Sequence, residues 1–169
     1  MTTVKKVKSY YISPKTYTIE PIEYEGKTCS RVSEKSSVYI VEKKPYKIVD
    51  DTYRKLGSTY QAAIDFSKRF LGNRKKVPIV VPYQQLYSLI PVFSPHSLKN
   101  IWISQHAIHK IQQSKGKTIV ILKNDDVIHL PIHYLSFMSQ FGNATLLLNH
   151  AIEERAEIQR TLSFLDDLE

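Results

Sequence analysis

The sequence is poor in the features that announce chemistry. Its 169 residues hold a single cysteine, Cys29. No internal disulfide can form, which excludes a disulfide-stapled scaffold and suits a reducing compartment. The five glycines, at 26, 57, 72, 116 and 142, are isolated, so no GxxxxGK[ST] phosphate loop exists. No stretch approaches the ~18 uninterrupted apolar residues of a membrane span. The N-terminus MTTVKKVKSYYIS has lysines but no apolar run behind them, so no signal peptide is expected. These absences point to a soluble cytoplasmic protein without a membrane partner.

Acidic residues are also scarce. Sixteen Asp+Glu face 24 Lys+Arg, for a net charge of +8. The excess is uneven. Residues 1–132 hold 22 basic and 10 acidic residues, or +12, whereas 133–169 hold 2 and 6, or −4. Between 52 and 78, Arg54, Lys55, Lys68, Arg69, Arg74, Lys75 and Lys76 meet Asp65 alone, or +6. A lysine pair is ordinarily a solvated face. A segment of +6 inside a region of +12 repels itself unless an anion neutralises it, which points to a polyanionic partner such as nucleic acid. Tyr53, Tyr60, Phe66 and Phe70 lie among these charges.

Enzymatic constellations are missing. Cys29 has no histidine near it in sequence to make it a nucleophile. His106 and His109 would face opposite sides of a strand, and His129 and His133 straddle a strand end and a helix start. No CxxC accompanies either pair, so no metal or other cofactor is expected. Asp125-Asp126 and Asp166-Asp167 are adjacent carboxylates in a turn and a tail. The chemistry left over is binding.

Periodicity predicts an α+β chain: two antiparallel β meanders, a short central basic helix and two C-terminal helices. The first meander takes Tyr17–Ile22, the Glu25-Gly26 turn, Thr28–Ser33 and Val38–Val41, with 4–12 a strand or basic arm. Ile48–Thr52 reads as the end of the strands. Ser58 or Thr59 caps a helix over Tyr60–Leu71, whose Tyr60, Ala63, Ile64, Phe70 and Leu71 share a stripe, and Gly72 stops it. Lys68 and Arg69 suit that helix's negative end, but Arg74-Lys75-Lys76 lie beyond it. The second meander takes 77–81, 86–93, one long strand around Trp102, 118–122 and 127–132. Gly142 then separates a helix over His133–Phe141 from a last one over about 144–165, apolar on one side and acidic on the other. The whole 1–169 is expected to be one domain, with 143–169 available for self-association.

An ordered set of short motifs carries a resemblance. Gly26-Lys27-Thr28-Cys29-Ser30 is followed by Lys43-Lys44-Pro45 and Lys47-Ile48-Val49-Asp50. Leu56-Gly57-Ser58-Thr59-Tyr60 and Val77-Pro78-Ile79-Val80-Val81 come next. Trp102-Ile103-Ser104 and Leu130-Pro131-Ile132-His133-Tyr134, with Phe137 and Gln140, complete it. In this order, over about residues 24–150, the chain resembles the ComK family of competence transcription factors. The resemblance implies an activator of DNA-uptake genes. It implies binding to paired A/T-rich boxes of double-stranded DNA through the minor groove, as a homodimer or a dimer of dimers, hence at the nucleoid. It also implies control by an adaptor that delivers the protein to the Clp protease.

Two departures stand out. The family continues after its Gly-Ser-(Ser/Thr)-Tyr motif with a Gly-Arg pair, where this chain has Ala62-Ala63. Nor does it carry the aromatic, proline-containing adaptor motif of longer members. The residues expected at DNA are Arg54, Lys55, Ser58, Lys68, Arg69, Arg74, Lys75 and Lys76, with Arg74 in the groove and the lysines on phosphates. Two other readings compete: a general nucleic-acid-binding protein, and a regulatory paralogue acting through protein–protein contacts.

Overall fold

Two glycine turns organise much of the β structure. Strands β2 (Thr16–Tyr24) and β3 (Lys27–Glu34) pair with Tyr24 opposite Lys27, leaving Glu25 and Gly26 as a two-residue loop. Both have positive φ, at 51° and 76°, the conformation of a type I′ hairpin turn. Lys115 and Gly116 repeat the device between β8 (Ile108–Ser114) and β9 (Lys117–Leu122). A computed structural model describes residues 2–168; Met1 and Glu169, the ends of the expected domain, lie outside the described residues.

The remaining strands are β1 (Thr3–Val7), β4 (Ser37–Val41), β5 (Ile79–Val81), β6 (Tyr87–Pro91), β7 (Trp102–Ser104) and β10 (Val127–His133). They form a seven-stranded sheet in the order β1-β4-β3-β2-β7-β6-β5 and a three-stranded sheet in the order β10-β9-β8. The α+β class and the strand content match the sequence reading, but the partition does not. The second meander is divided: β5–β7 join the first sheet through β7 against β2, and only β8–β10 stand apart. The long strand expected around Trp102 is broken by a 3-10 turn at Gln105–Ala107, where Ala107 is fully buried. Strand β1 adds parallel to β4, so the first meander is not wholly antiparallel.

Helix α1 (Pro45–Lys55) is the largest departure, since Ile48–Thr52 reads as the end of the strands. Pro45 occupies a first-turn position, where its missing N–H costs nothing. Ile48, Val49, Thr52 and Tyr53 are buried at i, i+1, i+4 and i+5 against the sheet. The β-branched pair conceals that stripe, and burial overrides its weak helix propensity. Helix α2 (Tyr60–Leu71) has the predicted bounds. Thr59 Oγ1 accepts from the Ala62 amide at 3.1 Å, and Gly72 ends the helix at φ 88°.

The two expected C-terminal helices are one, α3 (Tyr134–Asp166), 33 residues and about 50 Å long. Gly142 lies inside it. Phe137, Gln140, Ala144, Leu147 and Ala151 are buried at intervals of three and four across the glycine, so one stripe packs continuously. That burial outweighs the ~1 kcal/mol a helix-interior glycine costs.

The large sheet is buried on both faces. Ile19, Val32, Leu89 and Trp102 meet α1 and α2 through Ile48, Tyr53, Tyr60 and Ile64. Ile90 and Ile103 point the other way, to Val120, Leu122, Leu130 and Phe137 of the small sheet and α3. The β2–β3 register shift between Thr16 and Thr18 explains how Tyr17 and Ile19 serve opposite faces two residues apart. Farther along, Leu147 and Ala151 tie α3 to Val80 and to Phe66 of α2. Beyond them α3 runs exposed: Ile158, Leu162 and Leu165 are each more than half accessible. No helix among the described residues is long and apolar enough to cross a membrane.

Candidate nucleic-acid interface

Helix α2 has two working sides. Tyr60, Ile64 and Lys68 recur at i, i+4 and i+8 and line one concavity with the 73–77 loop. Ala62 and Phe66, at i+4 from each other, look instead into an apolar groove of about 450 Å³ against Ile158 of α3. The periodicity of one helix thus separates a polar site from an apolar one.

The polar concavity holds about 420 Å³. Lys68, Asn73, Arg74 and Lys75 line it, with His96 on the loop opposite, and no carboxylate contributes. Arg74 Nε donates to the Leu71 carbonyl at 3.0 Å, so the guanidinium is braced on the carbonyl end of α2. The helix terminus therefore explains Arg74's anchoring, although it lies beyond the helix. Its remaining N–H groups have no protein partner among the described residues. An aromatic wall closes one side: the His96 ring lies 5.0 Å from Tyr46 and 6.1 Å from Tyr60, which meets Tyr46 edge-on at 5.0 Å. Burial pushes the Tyr60 hydroxyl well above the usual phenol range, so it stays neutral.

The eight residues singled out in the sequence divide three ways. Lys68, Arg74 and Lys75 converge on the concavity. Lys76 lies beside them in sequence, its Nζ 5.9 Å over the Phe93 ring, and Arg69 is exposed on α2 outside the lining. The other three lie elsewhere. Arg54 is paired with Asp50 at 2.8 Å, Lys55 sits 5.7 Å over the Tyr11 ring, and Ser58 lines the apolar groove. The Ala62-Ala63 departure also falls at that groove, away from Lys68, Arg74 and Lys75.

Several neighbouring charges are paired internally. Lys43 and Lys47 reach Asp51 at 2.7 and 2.9 Å. Burial works to raise the Asp51 carboxyl, but the two lysines outweigh it and hold it below the ordinary carboxylate range. Lys6 pairs with Glu25 and Glu42. The aromatics among the basic residues are structural. Tyr53 is buried and donates to the Val80 carbonyl at 2.6 Å, and Phe70 stacks on His150 at 4.1 Å. Sequence reasoning missed Asn73 and His96, which only the fold brings to Lys68; a Ser-Pro-His-Ser loop carries no signal of its own.

Among the histidines, His106 sits in the 3-10 turn and not on a strand, with its Nε2 2.6 Å from the Pro14 carbonyl. Burial lowers its pKa, partly opposed by that carbonyl. His133 caps α3, its Nδ1 accepting from the Leu135 amide at 3.2 Å. No group of three His, Cys, Asp or Glu among the described residues could hold a metal ion.

What this arrangement offers a ligand is fixed positive charge lining an aromatic-walled hollow, equipment suited to a polyanion. The comparisons specify the class further. The family model described as ComK protein matches residues 7–157. The competence transcription factor of Bacillus subtilis (strain 168) is 30% identical over 160 residues, covering 89% of this chain and 83% of that protein. No solved structure matches the chain. The chain belongs to the ComK family, a family of competence transcription factors and not of enzymes.

Proposed function

We propose that this protein is a transcriptional activator of competence genes that binds A/T-rich boxes of double-stranded DNA through the minor groove, using Arg74 in the groove and Lys68, Lys75, Lys76 and Arg69 around it. The observation that carries the reading is the run from Lys68 to Lys76: five cations without a carboxylate partner among the described residues, three of them lining one hollow. Narrow A/T minor grooves concentrate negative potential and favour an inserted guanidinium. Their acceptor pattern is degenerate, so such a reader needs few directional side chains. The lysines add affinity through phosphates without reading sequence. Arg54, Lys55 and Ser58 take a peripheral part in this proposal, because Arg54 is paired with Asp50, Ser58 lines the apolar groove and Lys55 lies outside the hollow beside Tyr11.

A general single-strand binder stacks bases on aromatic faces interleaved with its cations, and here Tyr53 is buried and Phe70 stacks on His150, which favours the duplex reading. The acidic end of α3 is unsuited to DNA. Its exposed Ile158, Leu162 and Leu165 recur at i, i+4 and i+7, which favours self-association through this helix, so that the chain acts as one unit with 143–169 as its dimer contact. Control through a Clp adaptor rests on the family resemblance alone, since α3 contains no proline to carry the motif.

The test is a competition between paired A/T boxes and a scrambled duplex at two salt concentrations. Preference for the boxes, with steep salt dependence, is expected. Lys75→Ala/Lys76→Ala should weaken binding to every sequence and lower the salt slope by roughly one for each phosphate no longer neutralised. Equal binding to both duplexes would return the reading to a general binder. No retardation by a protein that still dimerises would favour the regulatory paralogue.

A further inference from the structure

Leu98 stands at the tip of the Ser94–Asn100 loop with 71% of its surface accessible, the highest value among the exposed large apolar side chains. A leucine on a mobile loop would mean little. This loop is built. The Ser97 amide donates to the Ser94 carbonyl at 2.9 Å, the Asn100 amide to the Ser97 carbonyl at 3.1 Å, and the Phe93 amide to Asn100 Oδ1 at 2.9 Å. Pro95 and Asn100 are buried beneath it. The apolar tip is therefore held out into water by a rigid base, and presenting it to a partner sacrifices little further entropy.

Its surroundings indicate the partner. Through His96 and Pro95 the loop forms one wall of the hollow that holds Lys68, Arg74 and Lys75. On its other side Leu98 itself lines a smaller hollow of about 210 Å³ with Lys44. Lys99 follows it directly, and Ser94–Asn100 contains no acidic residue. An apolar projection flanked by cations on both sides fits a duplex, whose phosphates take the cations while its stacked bases take the leucine.

We infer that Leu98 is a wedge that enters the minor groove and partly unstacks one base step, with Lys44 and Lys99 on the flanking phosphates. The inference rests on the double-stranded DNA reading above and adds an element of sequence choice to it. Pyrimidine–purine TA steps open easily, whereas AA steps in A-tracts are stiff, although both show the same minor-groove acceptors. A wedge distinguishes the two; a reader of charge and groove acceptors alone would not prefer TA.

The test uses the full chain and duplexes of paired A/T boxes in which single adenines are replaced by 2-aminopurine, whose fluorescence rises on unstacking. The wild type should raise the signal at one TA step per box, and changing that step to AA should weaken binding. Leu98→Ala should abolish the signal and lower affinity for the TA boxes roughly ten-fold. It should leave mixed-sequence binding within about two-fold, because that depends on phosphates. Leu98→Met should keep the signal. Leu98→Lys should lose it while gaining non-specific affinity, which separates a wedge from a mere contact; circular dichroism checks that each variant folds. A wild type that binds the boxes with no fluorescence change, or a signal that survives Leu98→Ala, overturns the wedge and leaves the DNA reading standing. So does a Leu98→Ala variant that keeps DNA binding but loses a protein partner. A wild type that retards no duplex overturns both.

Discussion

Two lysine-rich segments of this chain look alike as sequence and differ as structure. Around α1, Lys43 and Lys47 share Asp51, and Arg54 holds Asp50. From Lys68 to Lys76 the cations pair with no acid among the described residues. Asp65 is the sole carboxylate between 52 and 78, and it accepts from Gln61 at 2.9 Å. In the first segment Lys47 and Arg54 are paired because their acids fall one helical turn away, and Lys43 reaches the same Asp51, whereas Lys44 has no carboxylate partner among the described residues. The second is unpaired, because its loop leaves the helix and enters a stretch without acids. A count of basic residues therefore overstates the field that a partner meets. Only the unpaired set projects charge outward.

Removing the unpaired set should produce the largest effect. Lys68→Ala/Arg74→Ala/Lys75→Ala is expected to weaken binding to A/T-box DNA by roughly 100- to 1,000-fold at low salt and to reduce the salt slope by about 0.9 for each phosphate left without its cation. Lys43→Ala/Lys47→Ala should change affinity by less than about three-fold under the same conditions, since each lysine already has its counter-charge. Equal losses in a gel-shift titration would erase the distinction between the segments.

The comparison can also be reversed. Asp51→Asn frees Lys43 and Lys47 and should strengthen non-specific DNA binding by roughly three- to ten-fold, in proportion to the charges released. The same variant has a signature in stability. The Asp51 carboxyl is lowered in the folded state, so its contribution is complete above the ordinary carboxylate range and is lost as pH falls through the folded value. Denaturant unfolding at a series of acidic pH values should show a shallower acid limb for Asp51→Asn than for the wild type.

Gly142→Ala acts on neither segment and sharpens the comparison as a control. The site is helical, and an added methyl meets nothing within 4 Å. Stability should rise by about 0.5–1 kcal/mol, read as a higher Tm, with DNA affinity unchanged. A change in affinity would mean that α3 communicates with the basic hollow.

The smallest effect concerns His106. Burial holds its pKa low in the folded state, so its contribution is complete above the ordinary histidine pKa, near 6.5, and is lost as pH falls through the folded value. His106→Gln, which keeps a donor for the Pro14 carbonyl but does not titrate, should flatten stability against pH across that window. DNA affinity at fixed pH should not move, because His106 lies outside the basic hollow.

Much of this was legible beforehand where local chemistry decides the outcome. Glu25-Gly26 announced its hairpin, and Thr59 and Gly72 bracketed α2. The signals failed where long-range burial overrode them. Ile48-Val49 resembles strand but packs as helix, and Gly142 resembles a stop but lies within a stripe buried on both sides of it. For the interface, the density of charge was visible, but the division of the eight residues was not. Whether Arg54 faces Asp50 depends on a helix the pattern disguises, and whether His96 faces Lys68 depends on two loops distant in sequence.

The amino-acid order alone settled the α+β class, the hairpin turns, the caps of α2 and the basic excess, because each depends on residues within a few positions of one another. The joining of β7 to β2, the continuity of α3 and the choice of which cations keep a free charge were settled only in three dimensions. They depend on which apolar faces find each other across the chain, and on which acids that packing carries to which bases.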